Sequence, residues 1–230
     1  MFDTIFFDFY GTLVTGDREA VEQTCSCVVE DLGLEMLPSE LATAWGHRFF
    51  EAIGQANDEA FCTLFELEVD TLERTLGDRT NGADLSKYAT MLKSYWQQPK
   101  LAPHVHETLA NIDVPVCVVS NADTEDVLQA IRYHDLNIVE VVTSEDTRSY
   151  KPHSAIFEHA LDKMKVRPDR VLHVGDSLHS DIGGAHQMGI AACWIDRTDR
   201  IMDIGRVGDA PISHKISCIK ELGGILAASC

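Results

Sequence analysis

The sequence predicts an α/β fold: a doubly wound parallel sheet interrupted by an inserted all-helical block. Three observations carry that expectation. Short apolar runs recur and end in small or acidic polar residues: Thr4–Phe7 before Asp8, 114–119 before Ser120, and 171–174 before Gly175 and Asp176. Runs this short, β-branched and without polar alternation, suit strands buried on both faces of a parallel sheet. Helical patterns lie between the later runs, and strand alternating with helix is the doubly wound signature. Finally, residues 15–98 hold almost no β-branched runs but several helical periods, as a helical insertion after the first strand requires.

Taken in order, Thr4–Phe7 is the first strand. The helical periods of the insertion cover 18–32, 40–53, 59–76 and 84–96, divided by Gly/Pro/Asn breaks at 33–38, 54–58 and 77–82. A second strand is expected at 114–119. The helix at 123–134 opens on an acid and sets Val127, Leu128 and Ile131 on one side. Further strands are expected at 138–143, 171–174 and 191–195. A helix at 154–164 follows Pro152, and one at 181–188 stops at Gly189. Residues 216–226 suggest a last helix closing the sheet. The expected division is a core of 1–14 with 99–230 and a helical cap of 15–98.

The chain has 230 residues, enough for one large α/β domain or a core with a smaller insertion. Its net charge of −18 argues against nucleic acid and anionic membrane surfaces as partners. An anionic substrate therefore needs a local positive field. The seven cysteines have neither framework nor zinc-site spacing; Cys25 and Cys27 are one residue too close for a zinc pair. Reduced thiols in the cytoplasm fit best. The acidic N-terminus lacks signal-peptide character, and no segment approaches the roughly 18 apolar residues that span a bilayer. The chain is expected to be a cytoplasmic monomer or homodimer.

Open α/β sheets bind ligands beyond the carboxyl ends of their strands. Asp8, Ser120 with Asn121, and Asp176 should converge there, joined by Lys151 from the loop before a helix. Each alone has a plain reading as a turn, cap or solvated charge; together at successive strand ends they form a site. A carboxylate there can act as a nucleophile. Gly11 lets the backbone turn so that its N–H groups face a substrate. The hydroxyls of Thr12 and Ser120 can hold developing negative charge, and Lys151 supplies the cation.

These residues resemble the haloacid dehalogenase superfamily. Asp8-Phe9-Tyr10-Gly11-Thr12-Leu13 is similar to its first motif, Ser120-Asn121 to the second, Lys151-Pro152 to the third, and Gly175-Asp176-Ser177 with Asp181 to the fourth. The resemblance implies a Rossmann-like core with a C1-type cap, and hydrolysis through a covalent aspartyl intermediate on Asp8. It implies Mg²⁺ held by Asp8, the Tyr10 carbonyl and Asp176, with Asp181 orienting a bound water from further out. Gly11, Asn121 and Ser177 would contact substrate. Cap closure is implied as well, with hinges near Thr15 and Pro99.

Position 10 departs from the phosphatases of that family, which usually carry there an aspartate that protonates the leaving group. A missing proton donor costs about 10²–10⁴-fold in rate. The Asp-x-Tyr-Gly-Thr form resembles the 2-haloacid dehalogenases, where halide leaves without a proton. Against this, Asp176 is the metal-binding form of motif four. The dehalogenases' cap arginine falls at Gly46 after Trp45, with Arg48 two residues on, and their motif-three tyrosine falls at Phe157. The segment Cys193 to Thr198 resembles a dehalogenase stretch and is read as ancestry or packing. Mg²⁺-dependent hydrolysis of a small phosphorylated metabolite is the preferred reading. Metal-independent 2-haloacid dehalogenation and a weakly active or non-catalytic metabolite binder are the alternatives. The proton is expected from a cap residue such as His47, Glu51 or His104, or from Tyr10 itself, unless a good leaving group needs none. The histidines around motif four (His173, His179, His186) and His106 are read as structural or solvent-facing, with His179 nearest a site mouth. Phe49, Phe50, Phe61 and Phe65 are read as cap packing.

Overall fold

The protein is described by a computed structural model covering residues 1–197 and 212–228. In chain order its elements begin with β1 (Thr4–Phe7), β2 (Val14–Thr15), α1 (Asp17–Leu32), α2 (Pro38–Ile53), α3 (Leu64–Leu76) and α4 (Ser86–Gln97). There follow β3 (Lys100–Leu101), α5 (Val105–Ala110), β4 (Val116–Ser120), α6 (Thr124–Tyr133), β5 (Glu140–Thr143) and α7 (Ser144–Thr147). The remainder is α8 (Ser154–Met164), β6 (Val171–Gly175), α9 (Gly184–Gln187), β7 (Ala191–Ile195), β8 (His214–Ile216) and α10 (Leu222–Ala228). Six strands form one parallel sheet in the order β5-β4-β1-β6-β7-β8. The doubly wound α/β expectation holds.

Strand alternation sorts the apolar residues between the two sheet faces. Ile5, Phe7, Val116 and Val118 pack in one cluster, and Phe6, Cys117 and Val119 in another with Ile156 and Phe157 of α8. A third cluster is built from α1–α4, with Leu41, Trp45, Leu72, Tyr88 and Leu92 buried in it. The antiparallel pair β2–β3 crosses between the sheet and these helices, at the positions where hinges were expected.

Local chemistry explains the shifted boundaries. α3 starts at Leu64 rather than near residue 59, because Thr63 and Glu66 form a reciprocal cap: Thr63 Oγ1 accepts from the Glu66 N–H and Glu66 accepts from Thr63 N–H. The segment expected as one helix from 181 is a wider π-type turn at Leu178–Gly183 running into α9. Ile216, expected to open the last helix, instead ends β8, a strand the sequence reading missed. Residues 198–211 and 229–230, Thr198 among them, lie outside the described residues.

Candidate active site

β1 ends directly beneath Asp8, whose N–H donates to the Val174 carbonyl of neighbouring β6 at 2.9 Å. The chain then folds tightly around the Phe9 carbonyl, which accepts from the N–H groups of Thr12, Leu13 and Val14. Gly11 sits inside this turn at φ +91°, and a Cβ there would lie 2.5 Å from Asp176 Oδ2. Glycine is required both by the backbone and by the approach of the Asp176 carboxylate.

Lys151 is buried at the centre of the site. Its ammonium donates to Asp8 Oδ1 at 2.7 Å, to the Val119 carbonyl at 2.8 Å and to Asp181 Oδ1 at 2.6 Å. Those three bonds use all of its N–H groups. Lys151 therefore positions and charge-balances carboxylates, where the sequence reading gave it to substrate. Asn121 fixes it from behind: the amide oxygen accepts from the Lys151 N–H at 2.6 Å and the amide nitrogen donates to the Lys151 carbonyl at 3.1 Å. Asp181 is fully engaged. Its Oδ1 also pairs with His173 Nε2 at 3.0 Å, and Oδ2 accepts from the Ser177 N–H at 2.9 Å. Lys151 and His173 overcome its burial and hold its carboxyl well below the ordinary range. At Asp8 burial wins, raising its carboxyl against the opposing pull of Lys151.

Carboxylate oxygens of Asp8, Asp176 and Asp181 lie within 4.8 Å of one another. Asp8 Oδ2 is buried and has no hydrogen-bond partner in the protein. An orphaned carboxylate oxygen beside a second carboxylate, with only oxygen donors around, fits a hard divalent cation such as Mg²⁺. Because both oxygens of Asp181 are taken, Asp8 and Asp176 are the direct candidates.

Above this floor opens a cavity of about 270 Å³. Its wall includes Asp8, Tyr10, Gly11, Ser120, Asn121, Lys151, Asp176, Ser177 and Asp181, so the strand-end residues converge as expected. Thr12 is the exception: it is fully buried, absent from the wall, and its hydroxyl has no partner. Its expected role toward substrate gains no support from this position. The rest of the wall is largely apolar, with Trp45, Phe49 and Phe50 of α2 and Trp96 of α4. Phe49 and Phe50 thus face the cavity, contrary to the packing reading, whereas Phe61 stacks on Tyr150.

The candidates for the leaving-group proton fare badly. His47, Glu51 and His104 are all exposed and off the cavity wall, and His104 is paired with Glu107. Tyr10 lines the cavity, but its hydroxyl donates to the Trp96 carbonyl at 2.8 Å, and burial pushes its pKa far above 10. His179 is exposed and also off the wall. His173, read as structural or solvent-facing, is a core histidine wired to Asp181. Arg197, in a segment read as ancestry or packing, lines the cavity and donates to the Thr12 carbonyl at 2.7 Å. Arg48 is exposed and absent from the wall, while Gly46 is on it. Phe157 is buried against His173 instead of reaching the cavity.

Residues 2–189 match the sequence pattern of the haloacid dehalogenase-like hydrolases. The chain belongs to this family. Relatives within it divide between two chemistries. An (S)-2-haloacid dehalogenase of Burkholderia cepacia is 26% identical, over 96% of this chain and 93% of its own. A ribulose-1,5-bisphosphate 5-phosphatase of Halopiger xanaduensis is 27% identical, over 68% of this chain and 69% of its own. The L-2-haloacid dehalogenase of Xanthobacter autotrophicus shares the fold, with a TM-score of 0.78 and 17% identity, each chain covered completely at 100%. Among the described residues of this haloacid dehalogenase-like hydrolase, no helix is long and apolar enough to cross a membrane.

Proposed function

We propose that this hydrolase cleaves a small phosphorylated metabolite in a Mg²⁺-dependent reaction, with Asp8 as nucleophile. The observation that carries this reading is the unpartnered, buried Oδ2 of Asp8 beside the Asp176 carboxylate. Asp8 and Asp176 bring two buried carboxylates together, a repulsion that a divalent cation would offset and for which a neutral haloacid carbon gives no reason. Mg²⁺ would be held by Asp8, Asp176 and the Tyr10 carbonyl, and would neutralise phosphate charge. Asp181 would act from outside this shell through Lys151 and Ser177.

The chain's own residues supply the rest. Lys151 keeps one oxygen of Asp8 fixed, so the other is aimed without a rotamer search. Ser120, Asn121, Gly11 and Ser177 share the wall around Asp8 and offer hydroxyl and amide donors to a phosphoryl group. Arg197 adds positive charge at the cavity, which the net charge of −18 makes necessary. The aromatic upper wall suits an organic portion with apolar surface. Dehalogenation is the second reading, favoured by Tyr10 and by the near full-length likeness to dehalogenases. The absence of an α2 arginine from the wall weighs against it.

The test is hydrolysis of para-nitrophenyl phosphate with and without Mg²⁺, beside halide release from a chloropropionate. Turnover that needs Mg²⁺, stops in EDTA and vanishes in Asp8→Asn is expected. Halide release that persists in EDTA, without phosphatase turnover, overturns the reading in favour of dehalogenation.

A further inference from the structure

When the ester of an ordinary alcohol is cleaved, the departing oxygen needs a proton, and the cavity wall limits its source. Asp8 is the nucleophile and Asp176 faces it, while Asp181 is held ionised by three donors. The Tyr10 proton is committed to the Trp96 carbonyl. Asp17 and Glu19 line the rim but are solvent-exposed on the first turn of α1. No histidine or cysteine is on the wall.

Glu68 is different. It projects from α3 into the same cavity, and among the described residues its carboxyl has no hydrogen-bond or ion-pair partner. Val21, Trp45, Phe49 and Trp96 share the cavity wall with it. α3 is set close over the floor. The carboxylate of Asp123, two residues beyond Asn121, accepts from the Leu64 N–H at 2.7 Å and the Phe65 N–H at 3.1 Å. Glu68 lies one helical turn beyond Leu64, a rise of about 6 Å. An acid without a partner, facing a cavity whose floor is the nucleophile, is placed for proton transfer, not for stability.

We propose that Glu68 is the proton donor to the leaving oxygen, a catalytic residue contributed by the helical block; this rests on the phosphate-ester reading above. In the first step an Asp8 oxygen bonds to phosphorus, the phosphorus–oxygen bond to the alcohol breaks with its electron pair on the alcohol oxygen, and the Glu68 proton passes to that oxygen. The alcohol departs and Glu68 is left as a carboxylate. In the second step water attacks the phosphorus of the aspartyl phosphate. Phosphate leaves carrying one proton of that water while the other passes to solvent, the Asp8 carboxylate is restored, and Glu68 is reprotonated from solvent.

The protonation state of Glu68 suits this work. Burial first, and the Asp17 carboxylate second, hold its carboxyl well above the usual range. Asp17, Arg18 and Glu19 of α1 share the wall with it, as do Asp8, Tyr10, Lys151, Asp176, Asp181 and Arg197, and Glu68 in turn helps raise the Cys25 thiol. α2 and α4 bring no ionisable side chain to the wall.

The test compares wild type with Glu68→Gln on phenethyl phosphate, whose alkoxide needs a proton, and on para-nitrophenyl phosphate, whose phenolate does not. Glutamine copies the neutral acid in shape, and turnover of the aryl ester reports an intact fold and nucleophile. Expected is a fall of about 10²-fold or more in kcat on the alkyl ester, with the aryl ester changed less than about 3-fold, and loss of the basic limb of the alkyl pH profile. Equal rates on the alkyl ester, or an equal fall on both esters, overturn the role of Glu68 alone. Wild type inactive on both esters with Mg²⁺ overturns the phosphate reading and this proposal with it.

Discussion

Replacing Lys151 by methionine tests the central charge arrangement. The ammonium is buried, and three acceptors share it: Asp8, Asp181 and the Val119 carbonyl. Methionine fills the volume but leaves two buried carboxylates facing each other without a cation. Removing one partner from such a pair costs about 3–5 kcal/mol. For a chain of this size each kcal/mol moves Tm by about 2–4 °C, so a fall of roughly 10 °C is expected at neutral pH in metal-free buffer. The loss has a pH signature. Without Lys151 the Asp8 carboxyl, already raised by burial, climbs further and Asp181 loses the cation that holds it low, so the variant's stability is whole in acid and drains away as pH rises through the folded pKa. The gap to wild type should therefore narrow toward pH 5. Adding Asp8→Asn removes one of the opposed charges and should recover about 1–3 kcal/mol of the loss. Scanning calorimetry across pH on both variants measures this. A Lys151→Met protein within 2 °C of wild type at all pH values, or strictly additive double-variant losses, would refute the reasoning.

Other outcomes follow from the same geometry. Gly11→Ala places a methyl on the Asp176 carboxylate and forces a left-handed alanine costing about 1–2 kcal/mol, so calorimetric titration should show Mg²⁺ binding weakened at least 10-fold. Asp123→Ala removes both acceptors at the start of α3 and should lower stability by about 0.5–2 kcal/mol in urea denaturation. Glu68→Gln should match wild type in Tm near pH 4.5 and exceed it at pH 8.5. The raised folded-state pKa of Glu68 means its stabilisation is complete below the unfolded pKa of about 4.3 and is lost as pH climbs through the folded pKa. A wild type as stable as the variant at pH 8.5 would show the carboxyl ionising freely in the folded protein.

Much of the floor was legible because strand ends impose order on a sequence. Asp8, Ser120 and Asp176 each terminate an apolar run, and the parallel sheet brings such ends together whatever the helices do. The wall was not legible in the same way. Residues from four helices meet at the cavity, and periodicity says which side of a helix is buried, not whether that side meets core or cavity. Phe49 and Phe50 illustrate this. Glu68 did leave a trace: an acid four residues from both Leu64 and Leu72, on the buried stripe of α3. His47, Glu51 and His104 carried the right chemistry on the wrong faces. Lys151 was found but its target was not, since sequence cannot show that a lysine's three N–H groups are already spent.

The Asp123 contact also bears on timing. If α3 lifts to admit substrate, two backbone N–H groups and one carboxylate must exchange each other for water, and they must shed that water again on closing. In the proposed reaction such a clasp would set a dwell time: strong enough to outlast the chemistry, weak enough to let the alcohol go. Because it joins the loop that carries Ser120 and Asn121 to the helix that carries Glu68, substitution at this one position would retune how long the chamber stays shut without altering any group that meets the substrate.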